Sequence, residues 1–287
     1  MTEQEKNEFA KANPLGEILA SPSRYDPTIL YPISRAPARA NIAWEAAGEV
    51  FGFDHWQAFE LSWLNSQGKP QVAIADLFFQ LDSPAIVESK SLKLYLNSFN
   101  AERFDSPGSL AAVIAEDLGR ASSSAVTVRL HELRQYRETQ LSQWQQQAQE
   151  AVCLDDYEMD AEVKPLDASI LNFERAADEI EKVWVSDLFR SNCPVTNQPD
   201  WASIEIRATG IEIDPGSLLS YLCSFRNHQG YHEECAERIY CALQQHCAPQ
   251  SLSVSMNYLR RGGLDINVYR GSQPLNYAAK KVRTVRQ

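Results

Sequence analysis

Alternation of apolar and polar positions marks four stretches of the chain as strands. QVAIADLFFQL (71–81) and WASIEIRATGIEI (201–213) lead, while AVTVRLHEL (125–133) and SVSMNYLRRGGLDINVY (253–269) trail. Between each leading and trailing run the period changes to that of a helix, opening at a Ser-Leu pair, and a second helix follows. SLKLYLNSF (91–99) and SLLSYLCSF (217–225) share Ser, Leu, Tyr, Leu, Ser and Phe in register, at an offset of 217 − 91 = 126. Leu92, Tyr95, Leu96 and Phe99, and likewise Leu218, Tyr221, Leu222 and Phe225, fall on one helical stripe each and are expected in the core. The repeated grammar implies an internal duplication. RETQLSQWQQQAQEAVCLDDYEMDAEVKPLDAS (137–169) separates the copies, Gln-rich and then acidic, and reads as a helix followed by an irregular connector. The expected division is 1–137 for an N-terminal copy with its arm, 138–170 for the connector, and 171–287 for a C-terminal copy.

Composition narrows the function classes. The chain has 287 residues, 44% of them hydrophobic and 23% charged, which suits an ordinary globular protein. A formal net charge of −11 argues against a nucleic-acid backbone as partner and favours a small-molecule ligand. No apolar run reaches the roughly 20 residues of a membrane helix. MTEQEKNEFAKANPLG lacks the basic and apolar regions of a signal peptide, so a cytoplasmic location is expected. The six cysteines form no C-x-x-C pair, and Cys235, Cys241 and Cys247, spaced by six, cannot converge on one metal from one helix.

Function is expected where the copies differ. VESKSLK (87–93) places Glu88, Ser89, Lys90 and Lys93 at a helix entrance, whereas IDPGSLL (213–219) is a plain start with Asp214 as N-cap and Pro215 at the first helical position. The lysines form either a solvated basic face or an anion site aided by free backbone amides. The C-terminal copy alone carries FRSNCPVTNQPDW (189–201), FRNHQGYHEECAE (225–237) and LRRGGLDI (259–266). The first puts Cys193 between an expected helix and an expected strand, with Pro194 holding the residue before it extended. In the second, His228 and His232 are either a metal pair or parts of a polar turn, with Glu233 in the first turn of the next helix. In the third, Gly262 and Gly263 suit a tight hairpin. No Gly-x-Gly-x-x-Gly or Walker pattern occurs, so any nucleotide is held without a Rossmann unit.

Together ESKSLKLYLNSF, CPVTNQPDW, FRNHQGYHEEC and RRGGLDI, with YDPTILYPISRAPAR in the N-terminal arm, resemble the NADPH-dependent 7-cyano-7-deazaguanine reductases, the nitrile reductases of queuosine biosynthesis, in their long duplicated form. The resemblance implies an α+β chain of two tandem tunnelling-fold (T-fold) copies, each an antiparallel sheet with two helices on one face. It implies a cytoplasmic homo-oligomer, a homodimer, that binds a 7-deazapurine and NADPH and neither nucleic acid nor membrane. It assigns Cys193 as nucleophile through a thioimide, Asp200 as general acid/base and His232 as a second proton donor. Glu88, Ser89, His232 and Glu233 would hold the substrate, and Ser89, Lys90, Arg261 and Gly262 the cofactor, with no metal. The Glu-Ser-Lys motif and the cysteine motif stand in different halves, so one composite site per chain is expected, within a chain or between subunits. Two alternatives stand beside this: a zinc-dependent pterin or purine enzyme of the same fold, like the GTP cyclohydrolases, with Cys193, His228 and His232 as ligands, and a non-catalytic purine-binding module.

Overall fold

A computed structural model describes residues 22, 24–132, 151–159, 166–176 and 180–274. The helix expected from 138 lies outside them, as does most of the connector. The described chain is of mixed α+β class. Its main sheet has eight strands in the order β5-β3-β2-β12-β11-β9-β8-β6. These are β2 (Phe51–Leu64), β3 (Pro70–Gln80), β5 (Val126–His131), β6 (Val152–Cys153), β8 (Lys182–Asn192), β9 (Pro199–Thr209), β11 (Ser251–Tyr258) and β12 (Leu264–Gly271). Every pairing is antiparallel except β6 with β8. β2 pairs with β12 from Leu264↔Ala58 to Gly271↔Phe51, so both halves of the chain build one continuous sheet.

One face of that sheet carries the core. Ala73, Ala75, Leu77 and Phe79 of β3, Ala202, Ile204, Ile206 and Ala208 of β9, and Leu264, Ile266 and Val268 of β12 alternate along their strands into a single apolar cluster. The cluster also takes in both predicted helical stripes, Leu92, Tyr95, Leu96 and Phe99, and Leu218, Tyr221, Leu222 and Phe225. Those stripes belong to α2 (Ser89–Asn97) and α4 (Pro215–Cys223); each is followed by a longer helix, α3 (Pro107–Ser122) and α5 (His232–Cys247), and a short α1 (Ala36–Ala40) precedes them. Cys223, Cys235, Cys241 and Cys247 are buried in the same core, where burial pushes their thiols up, to about 12 for Cys241 and about 11 for Cys247.

The two halves repeat one set of contacts at the helix starts. β4 (Ala85–Val87) pairs with β1 (Pro32–Ser34), and β10 (Ile211–Ile213) pairs with β7 (Phe173–Arg175), so an arm docks beside α2 and another beside α4. Ser91 and Ser217, the first shared serines, do the same work in both places. Each accepts an arm amide, from Tyr31 or Asn172, and each donates to the carbonyl of its N-cap residue, Glu88 or Asp214. Each arm also begins with an aspartate that caps a short 3-10 turn, Asp26 over Pro27–Ile29 and Asp167 over Ala168–Ile170.

Two strands depart from the sequence reading. The run before Cys193 is β8, not a helix, and β2 was not anticipated. Both carry a register shift, between Ala58 and Leu61 in β2 and between Ser186 and Phe189 in β8, that breaks the period of two. The run 201–213 is also divided, because Gly210 turns the chain at φ +76° and sends β10 away to pair with β7.

Asp214 caps α4 by accepting the Ser217 amide at 2.8 Å and lies outside the cleft described below. Asp214→Ala should therefore lower unfolding free energy by about 1 kcal/mol in urea titration, leaving substrate affinity per folded molecule intact.

Candidate active site

Cys193 begins the hairpin loop between β8 and β9. Its amide donates to the Gln198 carbonyl and its carbonyl accepts from the Asn197 amide, both at 2.9 Å, with Asn197 in the left-handed region at φ 54°. The loop is tied to the segment before α5. The Asn192 amide donates to the His228 carbonyl at 2.8 Å, the Gly230 amide to the Asn192 carbonyl at 3.2 Å, and the Gln229 side chain to Asn197 Oδ1 at 3.0 Å. Cys193 is thus fixed by backbone bonds beside the first turn of α5, and its side chain is only half-buried.

Asp200 is the second residue of β9 and shares the buried face with Ala202 and Ile204. Its carboxylate has two cationic or potentially cationic neighbours: the Arg261 guanidinium in direct contact and His232 Nε2 at 3.5 Å. The His232 ring packs on Tyr258, with centroids 3.9 Å apart. Gly262 and Gly263 both have positive φ, 52° and 78°, and the amides and carbonyls of Arg261 and Leu264 exchange hydrogen bonds across them. This is the type I′ hairpin that the glycine pair suggested, and it directs Arg261 back over β9.

These residues line one open cleft. Glu88 and Ser89 stand on one side, Cys193, Asp200, His232 and Glu233 on the other, and Trp56, Ile86, Val87, Leu259 and Ile266 supply apolar walls. Both halves of a single chain therefore contribute to it. Glu233 is 3% exposed, and its Oε1 has no hydrogen-bond partner among the described residues. Burial pushes its carboxyl above the ordinary range; the charge of Asp54 adds to this, while Arg35 and His232 oppose it.

Three expectations change. The helix-start amides are not free for an anion, because Glu88 is the N-cap of α2 and takes the Lys90 amide at 3.0 Å and the Ser91 amide at 2.8 Å. The two lysines also part company. Lys90 is exposed, whereas Lys93 turns toward the hairpin, 3.1 Å from Glu60, in a second hollow of about 200 Å³ that Asn97, Gly262 and Gly263 also line. His228 and His232 face different acids, Glu234 at 3.7 Å and Asp200 at 3.5 Å. Among the described residues no three His, Cys, Asp or Glu side chains gather as metal ligands, so the zinc alternative has no ligand set to rest on.

Trp56 and Tyr231 were not anticipated as cleft residues. Tyr231 lies inside a motif already singled out and only its role was missed; Trp56 sits on the strand that the alternation did not reveal.

Residues 21–130 match the family model for the nitrile reductase, 7-cyano-7-deazaguanine-reductase N-terminal region, and residues 199–276 match that for QueF-like proteins. The NADPH-dependent 7-cyano-7-deazaguanine reductase of Burkholderia multivorans is 43% identical over 273 residues, 94% of this chain and 98% of the relative. That of Burkholderia vietnamiensis is 45% identical over 260 residues, 90% and 92% of the two chains. The chain belongs to the 7-cyano-7-deazaguanine reductase family. A solved archaeosine synthase QueF-Like, in the apo form, is similar over 37% of this chain and 96% of its own, at 16% identity and a TM-score of 0.29, too slight to bear on the fold. Membership gives the cleft a chemistry to be measured against: reduction of the nitrile of a 7-deazaguanine by NADPH.

The different settings of the thiols are directly testable. Brief iodoacetamide treatment of the native protein should alkylate Cys193, while Cys223, Cys235, Cys241 and Cys247 react only after denaturation; peptide mass spectrometry reads the difference.

Proposed function

We propose that this chain reduces the nitrile of 7-cyano-7-deazaguanine to the aminomethyl group at the cleft between β9, α2 and α5, in queuosine biosynthesis. The carrying observation is Glu233, a buried carboxylate with an unpartnered oxygen in the same cleft as a half-buried cysteine and a buried aspartate. A guanine-like base offers two adjacent donors, N1–H and the 2-amino group, and a carboxylate can accept both. With the base held there, and with Glu88 and Ser89 facing it across the cleft, the nitrile is directed toward Cys193.

The residues then supply a balanced sequence. As the Cys193 sulfur bonds to the nitrile carbon and one C≡N π bond breaks, Asp200 takes the thiol proton and passes it to the nitrogen, leaving a thioimide. NADPH, when bound, supplies a hydride to each of the two C=N stages, four electrons in all. Between them the tetrahedral adduct collapses, its C–S bond breaks, and Cys193 leaves as thiolate with an imine remaining. His232, 3.5 Å from Asp200, can return protons to Asp200 or donate to the nitrogen itself. Ser89, Lys90, Arg261 and Gly262 would hold the cofactor. Arg261 and Lys90 match its phosphates in charge, and the glycine suits close approach, since a β-carbon at Gly262 would stand 3.1 Å from Lys93. Arg261 sits on Asp200 here, so it would have to turn outward to meet a phosphate.

The repeated cap and arm contacts support a tandem T-fold chain divided as 1–137, 138–170 and 171–287. No described helix is long and apolar enough to cross a membrane. We place the enzyme in the cytoplasm as a homodimer, on the family resemblance.

Mixing the protein with 7-cyano-7-deazaguanine should consume two NADPH per nitrile, followed by absorbance, and Cys193→Ala should abolish this. No consumption by the wild type refutes the reading. Without NADPH, intact-protein mass spectrometry should find the substrate's mass added at Cys193. Glu233→Gln should raise KM roughly 10- to 100-fold, the loss of a hydrogen bond to a charged acceptor. Because burial raises the Glu233 carboxyl, acidification protonates it early and removes an acceptor. Wild-type KM should therefore climb as pH falls, and this acid limb should vanish in Glu233→Gln.

A further inference from the structure

Beneath the first turn of α5 lies a buried charge cluster that takes no part in the chemistry above. Arg270, fully buried on β12, donates to Asp54 of β2 at 2.8 Å and to Glu237 of α5 at 2.9 Å. Arg39 on α1 makes a two-point contact with Glu237, at 3.0 and 2.8 Å. Arg35, the residue before α1, is 5% exposed. It contacts Asp54, donates from Nε to Ser83 Oγ at 3.1 Å, and leaves Nη1 without a hydrogen bond, 3.7 Å from Glu237. Three arginines, of which Arg39 is partly exposed, against two carboxylates leave +3 − 2 = +1 in the cluster.

A buried net charge is costly unless a counter-charge lies nearby. Glu237 is saturated by arginines, whereas Glu233, one turn earlier on the same helix face, keeps an oxygen with no partner. Counting Glu233 as a carboxylate brings the cluster to zero. The groups that act on Glu233 are Asp54 from β2, Arg35 from before α1 and His232 from its own helix. Arg39, Arg270 and Glu237 complete the cluster behind it, and Glu88, Cys193, Asp200, Tyr231 and Arg261 share its cleft.

We propose that Arg35 is a positioning residue for substrate recognition, its guanidinium holding Glu233 ionised so that the carboxylate can accept the two N–H groups of the base. The idea rests on Glu233 as the base-reading group. Arg35 touches neither the nitrile nor the thiol. It supplies positive charge that opposes both the burial of Glu233 and the repulsion from Asp54, so removing it leaves His232 alone against them. Removing both charges restores the balance.

The test follows KM for 7-cyano-7-deazaguanine from about pH 5 to about pH 8 in the full-length enzyme, at saturating NADPH. Arg35→Gln should move the acid limb of KM upward by about one pH unit and raise KM near neutrality about tenfold, with kcat unchanged at saturation. Arg35→Lys, which keeps the charge, should hold the limb near its wild-type position, and Arg35→Gln/Asp54→Asn should bring it back. A merely structural arginine would instead give a pH-independent loss of folded enzyme, worst in the double variant, and that result overturns the proposal. If Arg35→Gln does not fold, Asp54→Asn carries the test with the opposite sign: its limb should move to lower pH, and an unmoved limb overturns the idea. Glu233→Gln run alongside separates the two readings. If it binds substrate like the wild type, both fall; if it binds poorly while the Arg35→Gln limb stays in place, only the role of Arg35 falls.

Discussion

Arg270 is where the two halves of the molecule are joined. Its guanidinium has no access to water, and burial works against its charge; Asp54 from the N-terminal half and Glu237 from the C-terminal half more than offset this, so its pKa is raised. Burial likewise penalises Asp54, and Arg270 and Arg35 hold its carboxyl below the ordinary range. A buried pair of this kind adds little net stability against an apolar alternative, yet losing one member is costly because the other is left uncompensated. The cluster therefore specifies an arrangement, with β12 beside β2 and the start of α5 over both. Gly52 shows how close that seam is: a β-carbon there would lie 2.1 Å from the Tyr269 carbonyl oxygen, which explains a glycine opposite Arg270 at the end of the pairing.

Fixing the seam fixes the cleft. Trp56 and Ile266 face each other across the β2–β12 pairing and form its floor, and the helix starts that bear Glu88 and Glu233 converge from opposite halves. The two halves have corresponding N-cap positions, and these differ in a chemically simple way. Asp214 remains a short cap whose reach ends at its own helix. Glu88 has one more methylene, which lets it cap α2 and still border the cleft. The hairpins diverged in the same fashion: residues 65–69 form a plain polar turn, whereas 193–198 hold the thiol.

The helices and trailing strands were legible because their faces are chemically one-sided. The stripe of α2 meets core on one side and carries exposed Lys90 on the other, and the Gly262–Gly263 pair suits a tight turn. β2 was not legible, because Phe53, His55 and Gln57 are buried on one face and Asp54, Trp56 and Ala58 on the other, so no polar face remained to mark a period of two. The site motifs stood out as polar residues at one copy's turns. Their company did not. Trp56 and Arg35 come from distant segments, and nothing local distinguishes Arg35 from Arg39 or from an exposed arginine; only the closed charge count of the cluster does.

That separation between visible motif and hidden support bears on how the cleft can handle a nitrile. Covalent catalysis needs the attacking sulfur and the electrophilic carbon held in near-attack geometry, yet the sulfur must leave again between reductions. Packing Cys193 into the core, as with the thiols of α4 and α5, would hold it but also close it off from the cleft. Here the position is set by backbone hydrogen bonds around the hairpin, and the side chain stays half-buried at the wall of the cleft. The opposite constraint falls on the base, which has to stay in register through both reductions, and there the holding group is a carboxylate on a helix backed by a buried charge cluster. In the proposed reaction one end of the substrate is held by a deeply anchored carboxylate while the other meets a thiol anchored only through its main chain, an asymmetry suited to a nucleophile that must bond and then let go.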